Sequence, residues 1–145
     1  MNRFPIPVRW VIWGMLTLSI GGYIIVSLTM AERDQPGAKM IGLKPIFYGI
    51  GFLFFLLSQA VQYLVNHLST PEGVSRVPPW IDSAFILSLA FAELPAILAL
   101  ALGLSGATLT ETLPLFVIAA LGMATNSPGS FYRVELRQSS DGASS

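Results

Sequence analysis

The chain has 145 residues, 53% of them hydrophobic and 11% charged, and its eight basic and eight acidic side chains balance to a net charge of zero. A water-soluble domain normally carries about 25% charged residues, so this composition, with a mean hydropathy of +0.66, excludes an ordinary soluble fold and points to lipid as the solvent. No basic block offers a nucleic-acid surface, and the absence of cysteine excludes disulfides, thiolate metal sites and thiol catalysis.

A bilayer-spanning helix needs about 20 mainly apolar residues. The expected fold class is therefore all-α, an integral membrane protein forming a bundle of four transmembrane helices. They fall over about residues 11–30, 46–65, 83–104 and 112–126, the fourth one short, in a single domain over 1–137. The first run, Val11 to Met30, is uncharged and longer than the usual signal-peptide core of about 7–15 residues, so it reads as an uncleaved anchor. Trp10 and Trp13 belong at its interface, where amphipathic rings favour the headgroup region. Gly14 and Gly21 lie seven apart within it.

The second run, Ile46 to Val65, has Gly49 and Gly51 near its start. Gln59, Gln62 and Asn66, spaced by three and four, share one face of its C-terminal half. His67 follows and reads as an interfacial histidine, with proton entry the alternative. Loop two, Ser69 to Pro79, is rich in proline. Trp80 and Asp82 then open the third helix as an interface anchor and a first-turn acid. Tyr23, Tyr48 and Tyr63 read as packing or interface residues.

The third run, Ser83 to Leu104, is interrupted only by Glu93. Ala84, Ser88, Ala92 and Ala96 recur every four residues, and Ala99 and Gly103 extend the surface. In lipid, helices associate through close packing and polar contacts, so this ridge is a helix-packing face, within the chain first and between subunits second. In the fourth segment Thr110 is a candidate N-cap, with Glu111 in the first turn favoured by the helix dipole. Leu113 to Ala124 is apolar, and Thr125, Asn126 and Ser127 lead to Pro128-Gly129. The tail over 138–145, "QSSDGASS", is expected to be disordered.

With four spans, the N-terminus, second loop and C-terminus share one side and carry Arg3, Arg9, Arg76, Arg133 and Arg137. The other side carries Arg33, Lys39 and Lys44. This bias places both termini in the cytoplasm of a bacterial-type inner or other energy-transducing membrane.

"LAFAELPAILALAL" places one acid, Glu93, in the middle of a span. An ionised carboxylate at the bilayer centre costs ~2.5–3.5 kcal/mol on insertion scales, and no basic residue lies within the four runs to offset it. The neutral acid is the expected form. Glu93 is thus a proton-binding candidate, with Gln59 as its nearest polar help and Gln62 and Asn66 in support. The alternative is a structural bond, either to Gln59 or to the carbonyl of Phe91, which Pro95 deprives of its donor. His67 and Glu93 lack enough partners to bind a metal. No cofactor is expected, and no serine–histidine–acid set argues for an enzyme.

"SLAFAELPAILALALGL" resembles the acid-bearing helix of the proteolipid c subunits of rotary ATP synthases, with small residues before a midmembrane carboxylate and an Ala/Leu-rich run after it. Arg76-Val77-Pro78 resembles their polar-loop Arg-x-Pro, and Gly49-Ile50-Gly51 their glycine-rich partner helix, so the likeness covers residues 46–104. It implies that Glu93 is a carrier carboxylate. Leu94 and Pro95 stand where sodium-binding members place a hydroxyl residue, which implies a proton as the ion. The chain is not a standard member. It adds a helix on each side, and Phe52, Leu53, Phe54 and Phe55 follow the two glycines. The expected function is a small integral membrane subunit with a structural or assembly role in a larger membrane complex. The alternative is a proton-exchanging, c-like component using Glu93. Its partners are the lipid bilayer and either other membrane subunits or copies of itself.

Overall fold

The computed structural model describes residues 5–31, 42–68 and 80–131. These form α1 (Ile6–Ala31), α2 (Lys44–Leu68), α3 (Ile81–Leu104), α4 (Leu109–Thr125) and α5 (Pro128–Phe131). The first three are long and apolar enough to cross a membrane, and α4 is a shorter apolar helix. Among the described residues there is no strand. Arg3, Arg33, Lys39, Arg76, Arg133, Arg137, the Arg76-Val77-Pro78 motif and the tail over 138–145 lie outside the described residues.

α1 begins five residues before its apolar run. Pro7 sits in its first turn, where the missing N–H has no helical acceptor to lose. Arg9 is therefore inside the helix, not in a flank. It is buried and pairs with Asp82 at 3.4 Å, the two side chains being 5% and 12% exposed. Asp82 is the expected first-turn acid and is also half of a buried ion pair, and a basic residue does lie within a candidate span.

α3 is the central helix and packs against α1, α2 and α4, while α4 also touches α1 and α2. The directions follow from the contacts. Arg9 meets Asp82, Ser19 meets Glu93, and Ser27 lies against Gly103, so α1 and α3 run parallel. Ser88 meets Asn126 and Ala92 meets Gly122, so α4 runs antiparallel to α3. The core is built mainly on α3, where Phe85, Leu89, Ala92, Ala96, Ala99 and Leu102 are buried against Leu115, Phe116, Ala119 and Met123 of α4.

The small-residue ridge makes this closeness possible. Ser88, Ala92 and Ala96 are fully buried and Ala84 is half-buried. A Cβ placed on Gly122 would sit 3.0 Å from the Ala92 Cβ and 3.3 Å from its Cα. The ridge is an intramolecular seam with α4. Gly51 is a second close approach, under Leu115 and Pro95. A Cβ at Gly14, Gly21 or Gly49 would meet no atom of the described residues within 4 Å.

α4 starts at Leu109, capped by Thr108 and not Thr110. The Thr108 N–H donates to Glu111 Oε2 at 2.8 Å, the carboxylate arm of a capping box. Lys44 of α2 pairs with Glu111 Oε1, and the Tyr48 hydroxyl donates to the Glu111 carbonyl at 2.6 Å. The Lys44 ammonium, and then the Thr108 backbone N–H, hold the Glu111 carboxyl below the usual carboxylate range. A depressed folded-state value adds stability above the unfolded one, about 4.3, and loses it as pH falls through the folded value. Thermal melts in detergent at pH 6 and pH 3 are expected to show a smaller acid-induced drop for Glu111→Gln than for the parent chain.

A fifth helix was not expected. Asn126 closes α4, and the N–H groups of Ser130 and Phe131 bond to the Ser127 carbonyl. This short turn folds Phe131 back onto Phe85, ring centroids 5.3 Å apart and planes at 62°, which buries it completely.

Candidate functional site

Glu93 lies near the middle of α3 and is half-buried. Its partners come from α1. The Ser19 hydroxyl donates to Glu93 Oε1 at 2.5 Å, and the Tyr23 hydroxyl donates to the same oxygen at 3.1 Å. Ser19 and Tyr23 are one turn apart, so both face α3. Oε2 accepts no hydrogen bond from the described residues.

The trio has a direction built into it. Ser19 Oγ is also 2.7 Å from the Leu16 carbonyl, its own helix three residues back. A hydroxyl has one proton, and here it has two acceptors. When Ser19 donates to Leu16, a protonated Oε1 can donate to Ser19 in turn, so the neutral acid completes the chain. When Ser19 donates to Oε1, the acid's proton belongs on Oε2. The arrangement therefore accommodates a carboxylic acid in either of two hydrogen-bonded forms.

One further turn along α1, Ser27 is 4% exposed and its Oγ has no hydrogen-bond partner. It sits against Gly103, its Oγ 3.2 Å from where a Gly103 Cβ would be. Ser19, Tyr23 and Ser27 thus form a hydroxyl stripe at four-residue spacing along the α1–α3 seam. That spacing is a sequence signal, and reading the three as part of an apolar run concealed it.

The expected pairing of Gln59 with Glu93 does not occur. Gln59 Nε2 donates to Thr125 Oγ1 at 2.7 Å, and Gln62 Nε2 donates to the Thr125 carbonyl at 2.9 Å. The α2 stripe faces the α4–α5 turn because α2 packs on the side of α3 that bears Phe91 and Leu98, where the Phe54 ring lies tilted against Phe91 with centroids 5.8 Å apart and Gly51 meets Leu98. Glu93 points the other way. Gln59, Gln62, Tyr63, Asn66 and Ser130 line a polar groove of about 380 Å³, and the Tyr63 and His67 rings stack at 5.6 Å on its rim.

A second polar cluster is fully buried. Asn126 Nδ2 donates to Ser58 Oγ at 2.7 Å and to the Gly122 carbonyl at 2.7 Å, while Ser88 Oγ donates to Asn126 Oδ1 at 3.0 Å. One amide thus joins α2, α3 and α4. Trp13, expected at an interface, donates its indole N–H to the Met123 carbonyl at 2.8 Å, which joins α1 to α4. Among the described residues no group of three His, Asp or Glu side chains could hold a metal ion.

Comparison with protein-family models, with curated proteins and with solved structures finds no match to the chain.

Proposed function

We propose that the protein is a small integral membrane subunit with a structural or assembly role in a larger membrane complex. One observation carries this reading: the interior polar side chains are used as ties between helices. Arg9 binds Asp82, Ser58 and Ser88 bind Asn126, and Ser19 and Tyr23 bind Glu93. Each tie joins elements distant in sequence, as a rigid scaffold in lipid requires. In this reading α1 to α3 span the bilayer and α4 is a fourth, shallow span covered by its neighbours. Both termini are cytoplasmic, in a bacterial-type inner or other energy-transducing membrane.

A second reading is favoured by Glu93 Oε2, which the trio leaves unbonded. A carboxyl group with one open oxygen in the middle of an apolar helix is placed to take up and hand on a proton, as the c-subunit likeness implies. Substitution separates the two. Glu93→Gln keeps the bonds from Ser19 and Tyr23 but exchanges no proton. Glu93→Leu removes both. The scaffold reading expects native-gel assembly and proteoliposome proton flux to be unchanged in Glu93→Gln, with assembly lost in Glu93→Leu. Intact assembly with proton flux abolished in Glu93→Gln establishes the carrier reading instead.

A further inference from the structure

The polar groove at the C-terminal end of α2 stands apart from the buried ties. Gln59, Gln62, Tyr63, Asn66 and Ser130 line it, and its volume is about 380 Å³, within the range of small-ligand sites, about 300–1,000 Å³. The amides are oriented from behind. Gln62 Nε2 donates to the Thr125 carbonyl, a group that only accepts. Gln59 Nε2 donates to Thr125 Oγ1, whose own proton is directed at the Leu121 and Gly122 carbonyls, each 3.0 Å away. Ser130 Oγ donates to the Thr125 carbonyl. The committed protons of all three side chains thus point to the α4–α5 turn. The carbonyl oxygens of both amides are left for the groove, and neither accepts a hydrogen bond from the described residues. The Tyr63 ring forms an exposed wall, backed by the His67 ring at 5.6 Å and 8°.

We propose that this groove binds the headgroup of a phospholipid that ends in a primary ammonium, with its acyl chains lying down the α2–α4 seam. An ammonium has three N–H donors and no lone pair, the complement of a wall of carbonyl and hydroxyl oxygens. A carboxylate or phosphate end would set lone pairs against lone pairs, and a hydroxyl brings one donor where an ammonium brings three. A quaternary ammonium has no N–H to give. The face of the Tyr63 ring adds its attraction for a cation. No acid lines the groove, so the balancing charge comes with the ligand, as the phosphate of a zwitterionic head.

The surroundings favour a lipid over a soluble amine. Gln59 to Asn66 occupy the last two turns of a candidate span that ends at His67, so the groove opens at the depth of the headgroups. Toward the bilayer centre the same helical faces continue from Gln59 to Leu56 and Phe52, and from Thr125 to Leu121 and Val117. All four of these apolar side chains are exposed, on two helices that pack together. A polar groove at the head of a shared apolar surface has the outline of a lipid. Nothing in this site depends on Glu93.

The test titrates the full chain, purified in detergent, with dioleoyl phosphatidylethanolamine, phosphatidylcholine or phosphatidylglycerol, and counts bound lipid by native mass spectrometry. A single phosphatidylethanolamine per chain is expected, held at least about fivefold more tightly than either of the others, because charge-assisted N–H donation is the stronger bond. Tyr63→Leu removes an exposed ring and should lower that affinity about threefold at an unchanged melting temperature, while Tyr63→Phe keeps it. Gln62→Lys places the chain's own ammonium in the groove and should abolish the preference. If Gln62→Lys also lowers the melting temperature, Tyr63→Leu decides alone. Free phosphoethanolamine, the same head without chains, should not displace the lipid at millimolar concentration. Equal affinity for phosphatidylcholine, a preference for phosphatidylglycerol, or binding indifferent to Tyr63→Leu would each overturn the proposal. Displacement by free phosphoethanolamine would overturn the lipid as its occupant.

Discussion

Replacing Asn126 with alanine is expected to destabilise the bundle by about 2–3 kcal/mol, since each buried polar group left unsatisfied costs about 1–3 kcal/mol. The amide serves three neighbours at once: Ser58, Ser88 and the Gly122 carbonyl. Its loss strands the fully buried Ser58 hydroxyl, leaves Ser88 with only the Phe85 carbonyl as acceptor at 3.2 Å, and removes the one amide that joins α2, α3 and α4. Interhelical hydrogen bonds in membranes average only about 0.6 kcal/mol in double-mutant cycles, so the larger effect comes from losing both interhelical bonds of the amide at once and leaving the buried Ser58 hydroxyl without its partner. Ser58→Ala and Ser88→Ala alone should each cost about 1 kcal/mol on the same grounds. Combined with Asn126→Ala they should add little, because their partner is already gone. Unfolding in mixed micelles titrated with a denaturing detergent measures all four. Additive losses would mean that the three side chains act independently.

Gly122→Leu should cost about 3 kcal/mol, at the upper end of what overpacking a filled interior usually causes. The obstacle is backbone. A Cβ at Gly122 already meets Ala92 at 3.0 and 3.3 Å, and the larger side chain forces α4 away from α3 along their shared seam. Gly51→Ala is the informative contrast. Its Cβ would come within 2.5 Å of Leu115 Cδ2, but that atom is the end of a flexible side chain and can swing aside. Gly14→Leu, facing open space, should leave the unfolding midpoint unchanged. Equal losses at Gly122 and Gly14 would remove the packing argument for the ridge.

The helices were legible because their physics is one-dimensional. A run of apolar residues long enough for a bilayer, an acid without local partners and a small residue every fourth position can each be read along a line. Ser88, Ala92 and Ala96 do face a neighbouring helix. What the line does not hold is which helix stands opposite. The Gln59 and Gln62 stripe was visible as a face, yet its partner is Thr125, because α2 packs on the side of α3 away from Glu93. The carboxyl group's real partners, Ser19 and Tyr23, are single polar atoms within an apolar run and look like packing residues until α1 is laid parallel to α3. The Arg9–Asp82 pair fixes that register, and it was hidden because α1 starts earlier than its apolar run. Asn126 looked like the polar end of a helix. It is buried because Phe131 folds back over the same end of the bundle.

The parallel pairing of α1 with α3 also bears on how the protein is made. Synthesis proceeds from the N-terminus, so α1 and α2 are complete before α3 emerges. Every group that receives a polar side chain of α3 from those two helices is therefore waiting when it arrives. Arg9 is in place for Asp82, and Ser19 and Tyr23 are in place for Glu93. The helix that carries Asp82 and Glu93 therefore follows its α1 partners, whereas the reverse gene order would deliver those acids first. The arrangement of ties is in this sense an order of assembly. A circularly permuted chain that begins at α3 meets the membrane with its costliest residues unprovided for.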